Sequence, residues 1–209
     1  MAIEFFRRAS GNPGRLGILS GAFNPPTRAH LALAQSGLSA VDEVLFVLPR
    51  VFPHKNFDGP GFEDRVKMLL ACTAGEPRFS VGAAKGGLYV EIVRECRGPY
   101  GSRTEIAALC GRDAAERMVT WDYGHPDAAR SMLEEFEMLV ASRHGSYEPP
   151  VELRHRIRNL PIDPGCSAIS ATEVRARIRR GDPWRPLVPE SIAELVRELY
   201  PPSQSISES

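Results

Sequence analysis

Three short segments of this 209-residue chain combine residue types that can hold an anion. The first is Gly21-Ala22-Phe23-Asn24-Pro25-Pro26-Thr27-Arg28-Ala29-His30. A glycine directly after a buried strand lets the main chain approach a ligand closely, and the start of a following helix offers unpaired N–H groups and the positive end of a dipole. Thr27 and His30 stand three apart, so on a first helical turn both side chains can face one phosphate. The same spacing also describes an ordinary strand-to-helix turn, with Thr27 as the cap and His30 packed. The second segment, Pro53-His54-Lys55, sets a cation near the carboxyl end of a neighbouring strand, where open α/β sheets bind ligands. A solvated surface lysine is the alternative there. In the third, Ile169-Ser170-Ala171-Thr172-Glu173-Val174-Arg175, two hydroxyls at a helix start precede an arginine and would make a second phosphate clamp. A capping box of Ser170 with Glu173 fits the same residues and is compatible with the clamp.

The rest of the chain narrows the chemistry. No G-x-x-x-x-G-K-[S/T], G-x-G-x-x-G or G-x-S-x-G occurs, which removes P-loop, dinucleotide-dehydrogenase and hydrolase-elbow readings. No histidine pair has metal-ligand spacing, so no protein metal site is expected. Cys72, Cys96, Cys110 and Cys166 form no C-x-x-C pair, which argues against a zinc site or a disulfide scaffold and for a reducing, cytoplasmic setting. With 26 Lys plus Arg against 26 Asp plus Glu, no overall field draws the molecule to nucleic acid or to an anionic membrane. The basic runs Arg154-His155-Arg156-Ile157-Arg158 and Arg175 to Arg180 lack interleaved aromatics and read as a solvated strand edge and helix face. Nothing resembles a signal peptide or an apolar span of about 18 residues.

Elements that would position these segments follow from periodicity. Short apolar runs alternate with helical patterns, which predicts an α/β fold: a three-layer, doubly wound and mostly parallel sheet with the site at its carboxyl edge. Strands are expected at Leu16–Leu19, Glu43–Leu48, Phe79–Ala83 and Glu105–Cys110, and Glu137–Ser142 and Val151–Ile157 could extend the sheet. Helices are expected after Thr27, from Phe62 to a stop at Gly75, over Leu88–Cys96, over Ala114–Trp121, over Ser170–Arg180 and over Pro189–Tyr200. Residues 1–200 read as one domain and residues 201–209 as a frayed tail.

GAFNPPTRAH matches the pattern G-x-x-x-P-x-[H/T]-x-x-H, and ISATEVR resembles the I-S-S-T-x-[I/V]-R signature of nucleotidyltransferases related to nicotinate and nicotinamide mononucleotide adenylyltransferases. The order of motifs agrees over nearly the whole chain, and both signatures fall at helix starts. The resemblance implies a Rossmann-like nucleotidyltransferase fold and transfer of the adenylyl group of ATP to a pyridine mononucleotide, with pyrophosphate released. It implies that His30 bonds the α-phosphate, that Thr27 stands where a first histidine is frequent, and that Lys55 and Arg175 hold triphosphate oxygens with Ser170 and Thr172. Gly21, Ala22 and Phe23 would line the nucleotide site, and Gly111 and Asp113 would lie against the adenosine. Trp121 resembles the aromatic that stacks on the pyridine ring, core packing being its alternative. Mg2+ would arrive with ATP, held mainly by phosphates and water.

The acceptor side departs from the family pattern. An aromatic-Thr-x-x-Thr segment is missing after the third strand, and Lys85-Gly86-Gly87-Leu88-Tyr89 occupies its place. Gly86 and Gly87 could offer N–H groups to the acceptor, or they could form a turn. Two alternatives therefore stand beside the pyridine mononucleotide: another phosphate acceptor such as phosphopantetheine, and a nucleotide sensor without turnover. Expected partners are small-molecule substrates, with no nucleic acid and no membrane; the sequence leaves room for an oligomer.

Overall fold

Runs of fully apolar residues form a central sheet in which side chains alternate between two covered faces. The computed structural model describes residues 2–51, 59–121, 124, 127–141 and 145–201. In chain order the elements are β1 (Glu4–Arg7), β2 (Arg15–Ser20), α1 (Arg28–Gly37), β3 (Glu43–Pro49), α2 (Phe62–Thr73), β4 (Phe79–Ala84), α3 (Tyr89–Tyr100) and β5 (Glu105–Gly111). There follow α4 (Arg112–Thr120), α5 (Ala128–Glu135), β6 (Glu137–Ala141), β7 (Ile157–Leu160), the single turn α6 (Pro164–Ser167), α7 (Ala171–Arg180) and α8 (Ala193–Leu199). Short 3-10 turns occupy Val151–Leu153, Arg185–Leu187 and Glu190–Ile192.

The described strands make one sheet in the order β1-β4-β3-β2-β5-β6-β7. Every neighbouring pair is parallel except β1 with β4. β3 is buried along its whole length, as a strand covered on both faces must be. Its Leu45 and Val47 face α3, α4 and α5, packing with Ile92, Met118 and Leu133. Its Val44, Phe46 and Leu48 face α1 and α2, packing with Leu33, Val66 and Leu69. α7 and α8 add a smaller apolar cluster, joined to α2 through Met68. The result is the expected three-layer doubly wound arrangement.

Two boundaries differ from expectation. Val151–Leu153 is a 3-10 turn and not a strand, because Pro149 and Pro150 fix the approach and Leu153 N–H turns back to the Pro150 carbonyl. The strand begins at Ile157, where the expected one ended. The helix expected over Pro189–Tyr200 is broken in two, since Ile192 leaves helical geometry with φ −118° before α8 starts. β1, α5 and α6 were not anticipated. The expected tail lies outside the described residues after Pro201.

Candidate active site

Strands β2 and β5 lie side by side up to the pair Ile18 and Ala108, and then part. From this point the chain winds outward in both directions, β3 and β4 on one side and β6 and β7 on the other, which makes the crevice between them the switch point of the sheet. The hydroxyl of Tyr89, the first residue of α3, spans the divergence. It donates to the Leu109 carbonyl on β5 at 2.8 Å and accepts from the Ser20 N–H on β2 at 3.4 Å. Sequence reasoning did not single out Tyr89, because nothing in its local pattern ties it to two strands.

The loop Gly21 to Thr27 leaves β2 at this crevice. Gly21 N–H bonds the Val47 carbonyl, so the loop starts under the control of β3. Phe23 is buried and has φ +47°, a left-handed conformation that is uncommon for a bulky residue and marks a backbone held by its surroundings. Its ring meets the His30 ring edge-to-face at 5.1 Å and that of Phe46 at 5.9 Å. The Asn24–Pro25 peptide is cis.

Thr27 caps α1 and fixes the imidazole of His30. Its main-chain N–H donates to His30 Nδ1 at 2.9 Å, and its hydroxyl lies 2.8 Å from the same nitrogen. An N–H can only donate, so Nδ1 is the acceptor and the ring proton of neutral His30 sits on Nε2. Thr27 is completely buried, whereas His30 is half-buried. The sequence spacing placed both side chains toward one anion; in the structure the Thr27 hydroxyl is turned to the imidazole, and its influence on a ligand passes through His30.

Three side chains from distant elements grip this loop. Arg65, on α2 and only 5% exposed, donates through Nη1 to the Ala22 carbonyl at 3.1 Å and through Nε to the Gly61 carbonyl at 3.4 Å. Arg175, on α7, donates to the Asn24 carbonyl at 2.5 Å, while its Nη2 stands 3.4 Å from the Thr172 hydroxyl. The Tyr200 hydroxyl, just past α8, donates to Asn24 Oδ1 at 2.6 Å. Burial lowers the affinity of Arg65 for its proton and pushes the Tyr200 phenol up; Arg175 and Arg65 pull that phenol the other way. The terminal signature helix is thus brought to the first loop across 151 residues of sequence.

The remaining candidates are distributed around the same edge. Ser170 caps α7 and its hydroxyl oxygen accepts from Glu173 N–H at 3.1 Å. The Glu173 carboxylate pairs with Arg177 at 2.7 Å. Ser170 and Thr172 are exposed and Arg175 is half-buried. Gly111 ends β5 and caps α4, whose first turn carries exposed Asp113. Gly86 N–H is engaged by Glu95 at 3.0 Å and Leu88 N–H by Glu91 at 3.1 Å, so carboxylates of α3 take donors on both sides of Gly87. A Cβ at Gly86 would collide with the Glu91 side chain, which is why a glycine is needed there. Trp121, at the end of α4, is 45% exposed, and core packing is set aside. Lys55 lies outside the described residues. Among the described residues no group of three or more His, Cys, Asp or Glu side chains could hold a metal ion, and no helix is long and apolar enough to cross a membrane.

Comparison with known proteins follows the same lines. The cytidylyltransferase-like family profile matches residues 18–177. The chain is 32% identical to a probable nicotinate-nucleotide adenylyltransferase of Moorella thermoacetica, over 91% of this chain and 93% of that protein. It is 31% identical to a protein of the same description from Salinispora arenicola, over 87% of this chain and 99% of that one. Its fold is shared with Plasmodium falciparum nicotinic acid mononucleotide adenylyltransferase complexed with NaAD, at a TM-score of 0.66 and 15% identity over 88% of this chain and 95% of the other.

Proposed function

The chain belongs to the cytidylyltransferase-like family, and from that premise we propose that it is a nicotinate-nucleotide adenylyltransferase, moving the adenylyl group of ATP to nicotinate mononucleotide in NAD biosynthesis. The full-length match to relatives so described supports the reaction and the acceptor class. The observation in the molecule that carries the reading is the placing of His30: Thr27 holds its Nδ1 as an acceptor in the first turn of α1, directly after the loop whose Asn24 carbonyl Arg175 grips.

The chemistry needs no protein nucleophile. A phosphate oxygen of the mononucleotide forms a bond to the α-phosphorus of ATP, the bond from that phosphorus to the bridging oxygen breaks, and pyrophosphate leaves with the electron pair. Negative charge spreads over the non-bridging α-oxygens, and positioned donors lower the barrier by meeting it. In this reading His30 Nε2–H bonds an α-oxygen. Arg175, with Ser170 and Thr172 beside it, bonds the outer phosphates, and Lys55 adds a cation there. Gly21, Ala22 and Phe23 shape the nucleotide side of the loop; Gly111 and Asp113 flank the adenosine. Exposed Trp121 is the surface on which the pyridine ring stacks, and the backbone at Gly86 and Gly87 faces the acceptor. Magnesium enters as part of the MgATP substrate, coordinated by phosphates and water. Four cysteines without a disulfide suit a cytoplasmic enzyme. Pyrophosphate release from ATP and nicotinate mononucleotide, compared with nicotinamide mononucleotide and phosphopantetheine, tests the assignment. Turnover confined to phosphopantetheine would refute the acceptor, and ATP binding without turnover on any of them would refute the enzyme.

A further inference from the structure

We propose that Tyr200 is a positioning residue for ATP, acting through Asn24 on the loop that leads into His30; this rests on the adenylyl-transfer reading. Asn24 is the hinge of the arrangement. Its main-chain oxygen accepts from the Arg175 guanidinium and its side-chain oxygen accepts from the Tyr200 hydroxyl. Both Asn24 and Tyr200 are over nine-tenths buried, at 7% and 8% exposure. Gly59, with φ +131°, lies against the Asn24 amide, where a Cβ would come within 2.8 Å of Oδ1, so this close approach needs a glycine.

An amide oxygen only accepts, so the Tyr200 O–H is the donor to Asn24. Arg175 and Arg65 act on the phenol in one direction and Asp64 in the other. Arg65 itself holds the Ala22 carbonyl, so α2, α7 and the residue after α8 converge on the stretch from Ala22 to Asn24. This matters because the loop contains Phe23 at positive φ, a conformation it would not keep by itself. Releasing Asn24 lets the Phe23 ring, the His30 ring against it and the Arg175 fork drift together. Displacements of about 1 Å in such positioning cost up to about a hundredfold in rate.

Tyr200→Phe tests the idea, because the ring that packs with Ile178, Val188, Ile192 and Val196 is kept and only the hydroxyl goes. Binding of a non-hydrolysable ATP analogue, read by calorimetry on protein with an unchanged circular dichroism spectrum, should weaken by about tenfold. KM for ATP should rise in step, while KM for the mononucleotide stays within about twofold. In an Asn24→Ala background the same Tyr200→Phe change should cost less than about twofold, since its route of action is gone. A lowered melting temperature with unchanged ATP affinity, or equal costs in both backgrounds, would overturn the proposal. If Asn24→Ala does not fold, the affinity of Tyr200→Phe alone decides. Wild-type protein that binds the analogue yet transfers nothing to nicotinate mononucleotide would sink the acceptor assignment and leave this test standing; failure to bind the analogue would overturn both.

Discussion

At the scale of single residues, the proposed chemistry turns on how an imidazole is aimed. His30 receives the Thr27 N–H on Nδ1, leans on Phe23, and so presents Nε2–H in one direction. His30→Ala removes the donor outright and should reduce kcat by about a hundred- to a thousandfold with little change in melting temperature, the range seen when one transition-state donor is lost. Thr27→Val should cost far less, about tenfold or under. The main-chain N–H that fixes the tautomer is retained, and only the buried hydroxyl beside Nδ1 is lost. Steady-state kinetics on both variants checks the order; a Thr27→Val enzyme as impaired as His30→Ala would show that the hydroxyl itself meets the phosphate. The pairing of Thr27 with His30 was legible from their spacing, but its direction was not, because spacing alone does not say which side chain is buried.

At the scale of elements, the crevice exists because β2 and β5 separate over a defined length and close contacts hold them elsewhere. Leu109 of β5 is seated against Gly17 of β2 and Gly37 of α1, and a Cβ at either glycine would collide with it. Gly37→Ala should therefore destabilise by about 1–3 kcal/mol through overpacking. It should also weaken activity, since α1 carries His30 in its first turn. Tyr89→Phe strips the bridge between Ser20 and Leu109 and should cost about 1–2 kcal/mol, read by urea unfolding. Strands such as β3 and helices such as α2 were readable because each carries a long, regular apolar pattern. β1 was not: four residues, an exposed or half-buried pattern and an antiparallel edge position leave no periodicity to detect. α8 was overextended in the sequence reading because a proline at its expected start suits an α-helix and a 3-10 turn equally.

At the scale of the molecule, segments far apart in the chain meet at the site. Asn24 and Tyr200 are 176 residues apart in sequence and in contact in space. Motif reading found Arg175 because it sits in a signature, and missed Tyr89 and Tyr200 because each acts on a partner that only folding brings near. The whole fold also carries an alkaline limit. Burial pushes the Cys96 and Cys110 thiols from 9.0 up to about 12. Groups whose folded value is raised stabilise fully below the unfolded value and lose that contribution as pH climbs to the folded one. The urea midpoint should thus hold up to pH 9 and fall between pH 9 and 12, with Cys96→Ala/Cys110→Ala protein showing less loss from pH 9 to 10. An equal loss in that variant would place the limit elsewhere. The central claim, adenylyl transfer to nicotinate mononucleotide with His30 as donor to the α-phosphate, is tested most directly by pyrophosphate release from MgATP and that acceptor in wild-type and His30→Ala protein. Steady release by the wild type and loss of at least about a hundredfold in the variant are expected. No release by a wild type that binds ATP, or equal release by both proteins, would contradict it.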